Sequence, residues 1–402
     1  MVPFSSFFLI LFAAMVFSQL FTRMRIPWVV ALLVGGMIIG PGALGWFESD
    51  DTIQFLANIG LIFLMFMAGL ESRFSRIDNM RGQLVVTAAC ISVIPTVTGI
   101  IIALSFGYSF LTATLVGIIF MSSAVALLIP QFHKHKLLKS KLGKVILGSA
   151  ISVDAVSLLL LSLYLDFTTS TFSPLTIFLY LGLILGVALI GWLIPKIRWL
   201  TFSSEYAEEQ DLFEKELRFI ILILIGFVVL FEFVGLHAII AAFFAGLVLA
   251  GSIQSRLIKA KLHALSYGFF VPIFFVVMGA SVDLSVFLDG FAAFALTAAI
   301  VIGLIGSKFI GGWLAGRLNG YTNTESSYIG VTVIPQLSTA LAVAFLGFGE
   351  GLLDDKLLAA VVVLAVITAT IAPIVTEIMS PKLTSQHTDY PDAVMAPASE
   401  DA

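Results

Sequence analysis

Three observations predict an all-α membrane protein of about thirteen transmembrane helices, built as inverted six-helix repeats with two crossed, discontinuous helices. The chain of 402 residues is 59% hydrophobic and only 11% charged, with a mean hydropathy of +1.09. Soluble domains carry about 25% charged residues, so this composition cannot clothe a water-soluble surface. The apolar text is also divided into runs of membrane-crossing length, and its two halves echo each other at a fixed offset.

A span needs roughly 20 apolar residues. Such runs occupy 5–21, 27–43, 53–70, 83–106, 110–131, 143–165 and 174–195, then 217–235, 237–251, 264–281, 291–316, 325–348 and 355–379. No Lys or Arg precedes Arg23, so the first run lacks the basic start of a cleaved signal and reads as a retained span. With the N-terminus outside, nearly all of the 21 basic residues fall in cytoplasmic loops. Lys356 falls outside and Lys308 within a span, so the pattern follows the positive-inside rule. The C-terminus is then cytoplasmic. Residues 1–382 form one transmembrane domain, and the polar stretch 383–402 reads as a disordered cytoplasmic tail. A single cysteine, Cys90, excludes a disulfide framework.

The repeat has an offset of 210 residues. Ile26, Ala31, Gly36 and Met37 match Leu236, Ala241, Gly246 and Leu247, while Leu64, Met65 and Gly69 match Phe274, Phe275 and Gly279. Seven spans separate equivalent helices, which therefore run in opposite directions. This is the architecture of secondary transporters, whose site lies near the midplane at the repeat interface.

Two charged residues lie well inside the spans. Asp154 is at the middle of 143–165, where a carboxylate costs at least about 2.5 kcal/mol and cannot snorkel. Its oxygens suit a proton or a hard cation such as sodium in turn. Lys308, nearer a span end, could snorkel to the interface, pair with the acid or compensate its charge. Ser122 and Ser123 interrupt one span; Pro335, Gln336, Ser338 and Thr339 interrupt another. The order Ser122-Ser123-Ala124-Val125-Ala126 is echoed by Ser338-Thr339-Ala340-Leu341-Ala342. Small polar residues can simply pack helices, but polar breaks in both halves point to unwound segments at a binding site. Asp154, Ser122, Ser123, Ser338 and Thr339 are thus the candidate ion and proton ligands, with Lys308 as charge compensator.

Several segments resemble the monovalent cation/proton antiporters of the second such family. They are Ile26-Pro27 with Gly35-Gly36 and Gly40-Pro41, Gly60-Leu61 through Phe66-Met67-Ala68-Gly69-Leu70-Glu71, Gly235-Leu236-His237 through Phe244-Ala245-Gly246, and Phe270-Val271-Pro272-Ile273-Phe274-Phe275. The resemblance implies a sodium/proton antiporter fold, a homodimer and a moving core in which Asp154 carries the ion and Lys308 belongs to the core. It implies an inner-membrane transporter rather than an enzyme, whose partners are monovalent cations, protons and lipid, with no cofactor and no nucleic acid. Electrogenic members carry two adjacent acids; here the first position is Val153, which favours one-for-one exchange. Many members also have an acid after the Pro335 position, where this chain has Gln336. A potassium/proton efflux antiporter and a sodium-coupled symporter of an organic solute stand as alternatives.

Overall fold

The computed structural model describes residues 3–23, 27–46, 49–71, 80–124, 127, 129–169, 214–233, 235–253, 255–287 and 290–384. Every regular element among them is helical. The expected span 174–195 lies outside the described residues, as does 385–402. All the other expected runs fall on helices.

In chain order the helices are α1 (Pro3–Arg23), α2 (Trp28–Ile39), α3 (Asp51–Glu71), α4 (Arg81–Ser105) and α5 (Phe110–Met121). There follow α6 (Ile129–Lys134), α7 (Lys141–Thr169), α8 (Lys215–Phe233), α9 (Ala238–Leu249) and α10 (Arg256–Leu265). The last are α11 (Val271–Ala280), α12 (Phe291–Leu318), α13 (Asn323–Thr332), α14 (Ser338–Gly349) and α15 (Asp355–Thr384). Among the described residues seven spans are long and apolar enough to cross a membrane, and α2, α5, α9 and α14 are shorter apolar helices. The chain is a multi-pass membrane protein. Its outward surface is apolar, with Phe4, Phe233 and Phe291 more than four-fifths exposed, as a surface facing hydrocarbon must be.

Two boundaries differ from the sequence expectation. The run 264–281 begins earlier, at Arg256, because α10 continues through the basic residues Lys259 and Lys261 before a five-residue π-turn, Ser266–Phe270, leads into α11. Pro272 causes that turn. It has no N–H for the carbonyl four residues back, and Val271 N–H bonds to Ser266 instead, one register longer. The second is the end of α15, which runs to Thr384 with Leu383 fully buried. As expected, the spans 110–131 and 325–348 are each broken into two helices.

The helices pack as two bundles that touch lightly. One contains α1, α2, α3, α8, α9 and α11; the other contains α4, α5, α7, α12, α13, α14 and α15. The first is closed by glycines. A β-carbon on Gly36 would strike the Val276 carbonyl, and one on Gly246 would strike the Phe66 carbonyl. Likewise Gly279 faces the Leu33 carbonyl and Gly69 the Phe243 carbonyl. Each pair of contacts is the other shifted by 210 residues, with the partners exchanged. Only glycine allows backbones this close. The helix bounds repeat too: Trp28–Ile39 becomes Ala238–Leu249 at the same shift.

Candidate functional site

The site begins with two chain breaks in the second bundle. After Thr332, Pro335 withholds an N–H and biases Ile334 away from helix, so α13 stops and α14 starts only at Ser338. The other break follows Met121, where Ser122 turns extended. The two breaks lie against each other. Ala124 N–H donates to the Pro335 carbonyl at 2.7 Å, and the Ser123 hydroxyl donates to the Val333 carbonyl at 3.0 Å. Gln336 completes the crossing: its Nε2 donates to the Ser122 carbonyl at 2.6 Å, and its Oε1 accepts from Ser122 Oγ at 2.8 Å. Its own N–H donates to Thr368 Oγ1 of α15 at 3.2 Å.

Ser123 and Val333 are 210 residues apart, so the crossing joins equivalent positions. This corrects the residue pairing read from the sequence. Ser122 ends α5, on the near side of its break, whereas Ser338 begins α14, on the far side. The equivalents of Ser122 and Ser123 are Thr332 and Val333, six residues away from the pairing that the echo suggested. The echo misled because short runs of small residues recur easily in membrane text.

Lys308 does not snorkel. It is fully buried, and its Nζ donates to the Met121 carbonyl at 2.7 Å, the Ser123 hydroxyl at 2.8 Å and the Ile91 carbonyl at 3.1 Å. An ammonium has three donors, and all three are taken. Both carbonyls are free for a reason. Met121 is the last residue of α5, and Ile91 stands four residues before Pro95, inside α4, whose missing N–H leaves that carbonyl unclaimed. Pro95 and Ile91 therefore belong to the site, and sequence reading passed over them. The signal was a mid-span proline four residues after a candidate acceptor.

Asp154, in α7, accepts Ser123 N–H on Oδ1 at 3.1 Å. Ser123 thus stands between acid and lysine, bonded to both. The carboxylate lines a cavity of about 100 Å³ together with Ser123, Ser338 and Ala150. Ser338 opens α14 there, so the positive end of a helix dipole faces the acid, while Lys308 sits at the negative end of α5. Val153 is buried in the apolar cluster that includes Ile91, Met121 and Val333, the first two being the residues whose carbonyls hold Lys308. Thr339 is buried but does not line the cavity. The structure therefore brings Asp154, Ser122, Ser123, Ser338 and Lys308 together and leaves Thr339 to packing. Gln336, one of the polar residues of the second break, ties the crossing.

From α3, Leu64, Ala68 and Glu71 form the opposite wall of this cavity, with Phe243 of α9 and Tyr267 of the π-turn. A larger cavity of about 800 Å³ lies towards the other end of α3, beside Gln54, Asn58, Glu232, His237 and Glu350. Leu61 and Ile62 line the larger cavity and Leu64 the smaller.

Comparison with known proteins shows the family and the fold. The chain matches the family described as sodium/hydrogen exchanger, transmembrane, over residues 7–381. It is 30% identical to the probable Na(+)/H(+) antiporter 3 of Methanocaldococcus jannaschii, covering 92% of this chain and 94% of that protein. It is 28% identical to the Na(+)/H(+)-K(+) antiporter GerN of Bacillus cereus, covering 91% and 93%. The solved sodium proton antiporter MjNhaP1 of Methanocaldococcus jannaschii has the same fold, with a TM-score of 0.70 at 20% identity, over 94% of this chain and 97% of that one.

Proposed function

The chain belongs to the sodium/hydrogen exchanger family, and from that premise we propose that it exchanges a monovalent cation, sodium foremost, for protons, with Asp154 holding the two in turn. The observation that carries this reading is a carboxylate tethered on one oxygen by Ser123 N–H while facing a small cavity between the bundles. Burial there makes an unpartnered negative charge costly, so the acid is served either by a proton or by a cation. Ser123 and Ser338 supply neutral oxygens beside it, the hard donors that a sodium ion takes. Because one site serves both ions alternately, exchange needs no ternary complex.

Lys308 is a fixed charge in this scheme. Its donors are held by two backbone carbonyls and a hydroxyl, so it steadies the crossing and offsets Asp154 through Ser123 without cycling. With Val153 where a second acid would stand, one carrier gives one-for-one, electroneutral exchange. The repeat is inverted, with its two-fold axis in the membrane plane. The protein is a homodimer of the cell membrane with its N-terminus outside, and it needs no cofactor.

The test is everted vesicles carrying Asp154→Asn. Sodium-dependent proton movement should vanish while the protein stays folded; persistence of that movement would overturn the reading. A relative named for both sodium and potassium makes potassium the competing cargo. Proteoliposomes given sodium, lithium and potassium in turn, with valinomycin clamping the potential, decide cargo and stoichiometry together.

A further inference from the structure

A buried ammonium and a buried carboxylate bonded to the same residue would ordinarily join. Asp154 holds Ser123 N–H and Lys308 holds Ser123 Oγ. Yet among the described residues Lys308 donates to no carboxylate, and the second oxygen of Asp154 accepts from no donor. The lysine is drawn the other way by its third acceptor, the Ile91 carbonyl at 3.1 Å. Two features of the sequence build that acceptor. Pro95 lacks the N–H that would close the helical bond, and its ring pushes the carbonyl four residues back away from the helix axis. Gly311, three residues after Lys308 and so on the same face of α12, lets that helix close on α4. A β-carbon there would stand 2.6 Å from the Cys90 carbonyl oxygen, one residue before Ile91. At the shift of 210 residues, Lys308, Pro95 and Gly311 correspond to Thr98, Ile305 and Ile101. The Thr98 hydroxyl bonds within its own helix, to the Ile94 carbonyl at 2.9 Å, and Ile305 has its N–H. Lysine, freed carbonyl and close approach thus occur together in one half of the repeat and are replaced together in the other.

We propose that Pro95 is a positioning residue of the exchange: the carbonyl it frees seats Lys308 away from the carrier carboxylate and leaves that carboxylate open to sodium. This rests on Asp154 being the ion carrier, but it assigns a separate property, the sodium affinity of the site. With an N–H at position 95 the Ile91 carbonyl turns back into the helix, and one donor of Lys308 loses its partner. Buried donors find partners, and the lysine stem is long and flexible. The open oxygen of Asp154 is the acceptor beside it. A direct ion pair then competes with sodium for the carboxylate.

The experiment measures sodium-dependent proton movement in everted vesicles at fixed pH, as sodium is titrated, for Pro95→Ala and Pro95→Gly. Both supply the N–H and complete the ladder of α4, and they differ in helix propensity. Each should raise the apparent KM for sodium roughly three-fold or more, the scale of one charge-assisted hydrogen bond redirected, with the maximal rate within about two-fold of the original. In a Lys308→Gln background neither should move the apparent KM, because no ammonium is left to redirect. A proline that acts only by bending α4 would act there equally. An unchanged KM in both variants, a change that follows helix propensity instead of the N–H, or the same rise in the Lys308→Gln background would overturn the inference while leaving Asp154 as carrier. So would a lowered thermal transition in detergent for both variants, which would make the proline structural. Sodium-dependent proton movement that persists in Asp154→Asn would overturn both readings.

Discussion

In the first bundle, positions 210 residues apart do the same work. Gly36 and Gly246 each seat a facing backbone carbonyl, and Gly69 and Gly279 do so in return. In the second bundle, equivalent positions differ in kind. Asp154 corresponds to Leu364, Lys308 to Thr98 and Ser123 to Val333. The helices repeat in both, so shape is shared; chemistry is not. A second buried acid and lysine would double the desolvation cost and create two carriers. Repeat symmetry therefore survives where only packing is at stake and is broken where an ion must be held at one place.

That contrast can be broken or sharpened by substitution. The largest effect is expected at the asymmetric acid: Asp154→Asn should reduce exchange to the vesicle background yet leave the thermal transition in detergent near its original value. Next come the symmetric glycines. Gly36→Ala and Gly246→Ala should each destabilise by about 1–3 kcal/mol, the ordinary range for overpacking, and by similar amounts in thermal unfolding. A large effect at one with none at the other would mean that the contact symmetry is only superficial. Lys308→Gln, which leaves at least one buried acceptor unpaired, should cost about 1–3 kcal/mol and alter the pH profile of exchange without abolishing it. An unchanged profile would show that Lys308 does not act on the acid. The smallest effect on exchange is expected from Ser122→Ala: it leaves the buried Gln336 Oε1 without its donor, at about 1–3 kcal/mol of stability, while Gln336 Nε2 keeps its bond to the Ser122 carbonyl.

Much of this was legible in one dimension. Spans of about 20 apolar residues announce themselves because hydrocarbon tolerates no unpaired backbone, and a mid-span acid stands out because it is costly there. Glycines kept in step across two spans gave the offset, since close helix approach admits few other residues. The polar breaks were visible as segments, but their register was not. Ser122-Ser123 and Ser338-Thr339 look alike as text, and only the crossing of α5 against α13 distinguishes the end of one helix from the start of another.

By itself, then, the sequence determined the membrane class, the repeat offset and the identity of the buried acid, because each follows from the free energy of single residues in lipid. Tertiary structure alone decided what Lys308 does, because the carbonyls that hold it come from α4 and α5, more than 180 residues away. It decided too that Gln336 ties the crossing, and that Glu71 and Asp154 share a cavity. Hydrogen bonds and cavities depend on which surfaces meet, and no local pattern along a chain records that.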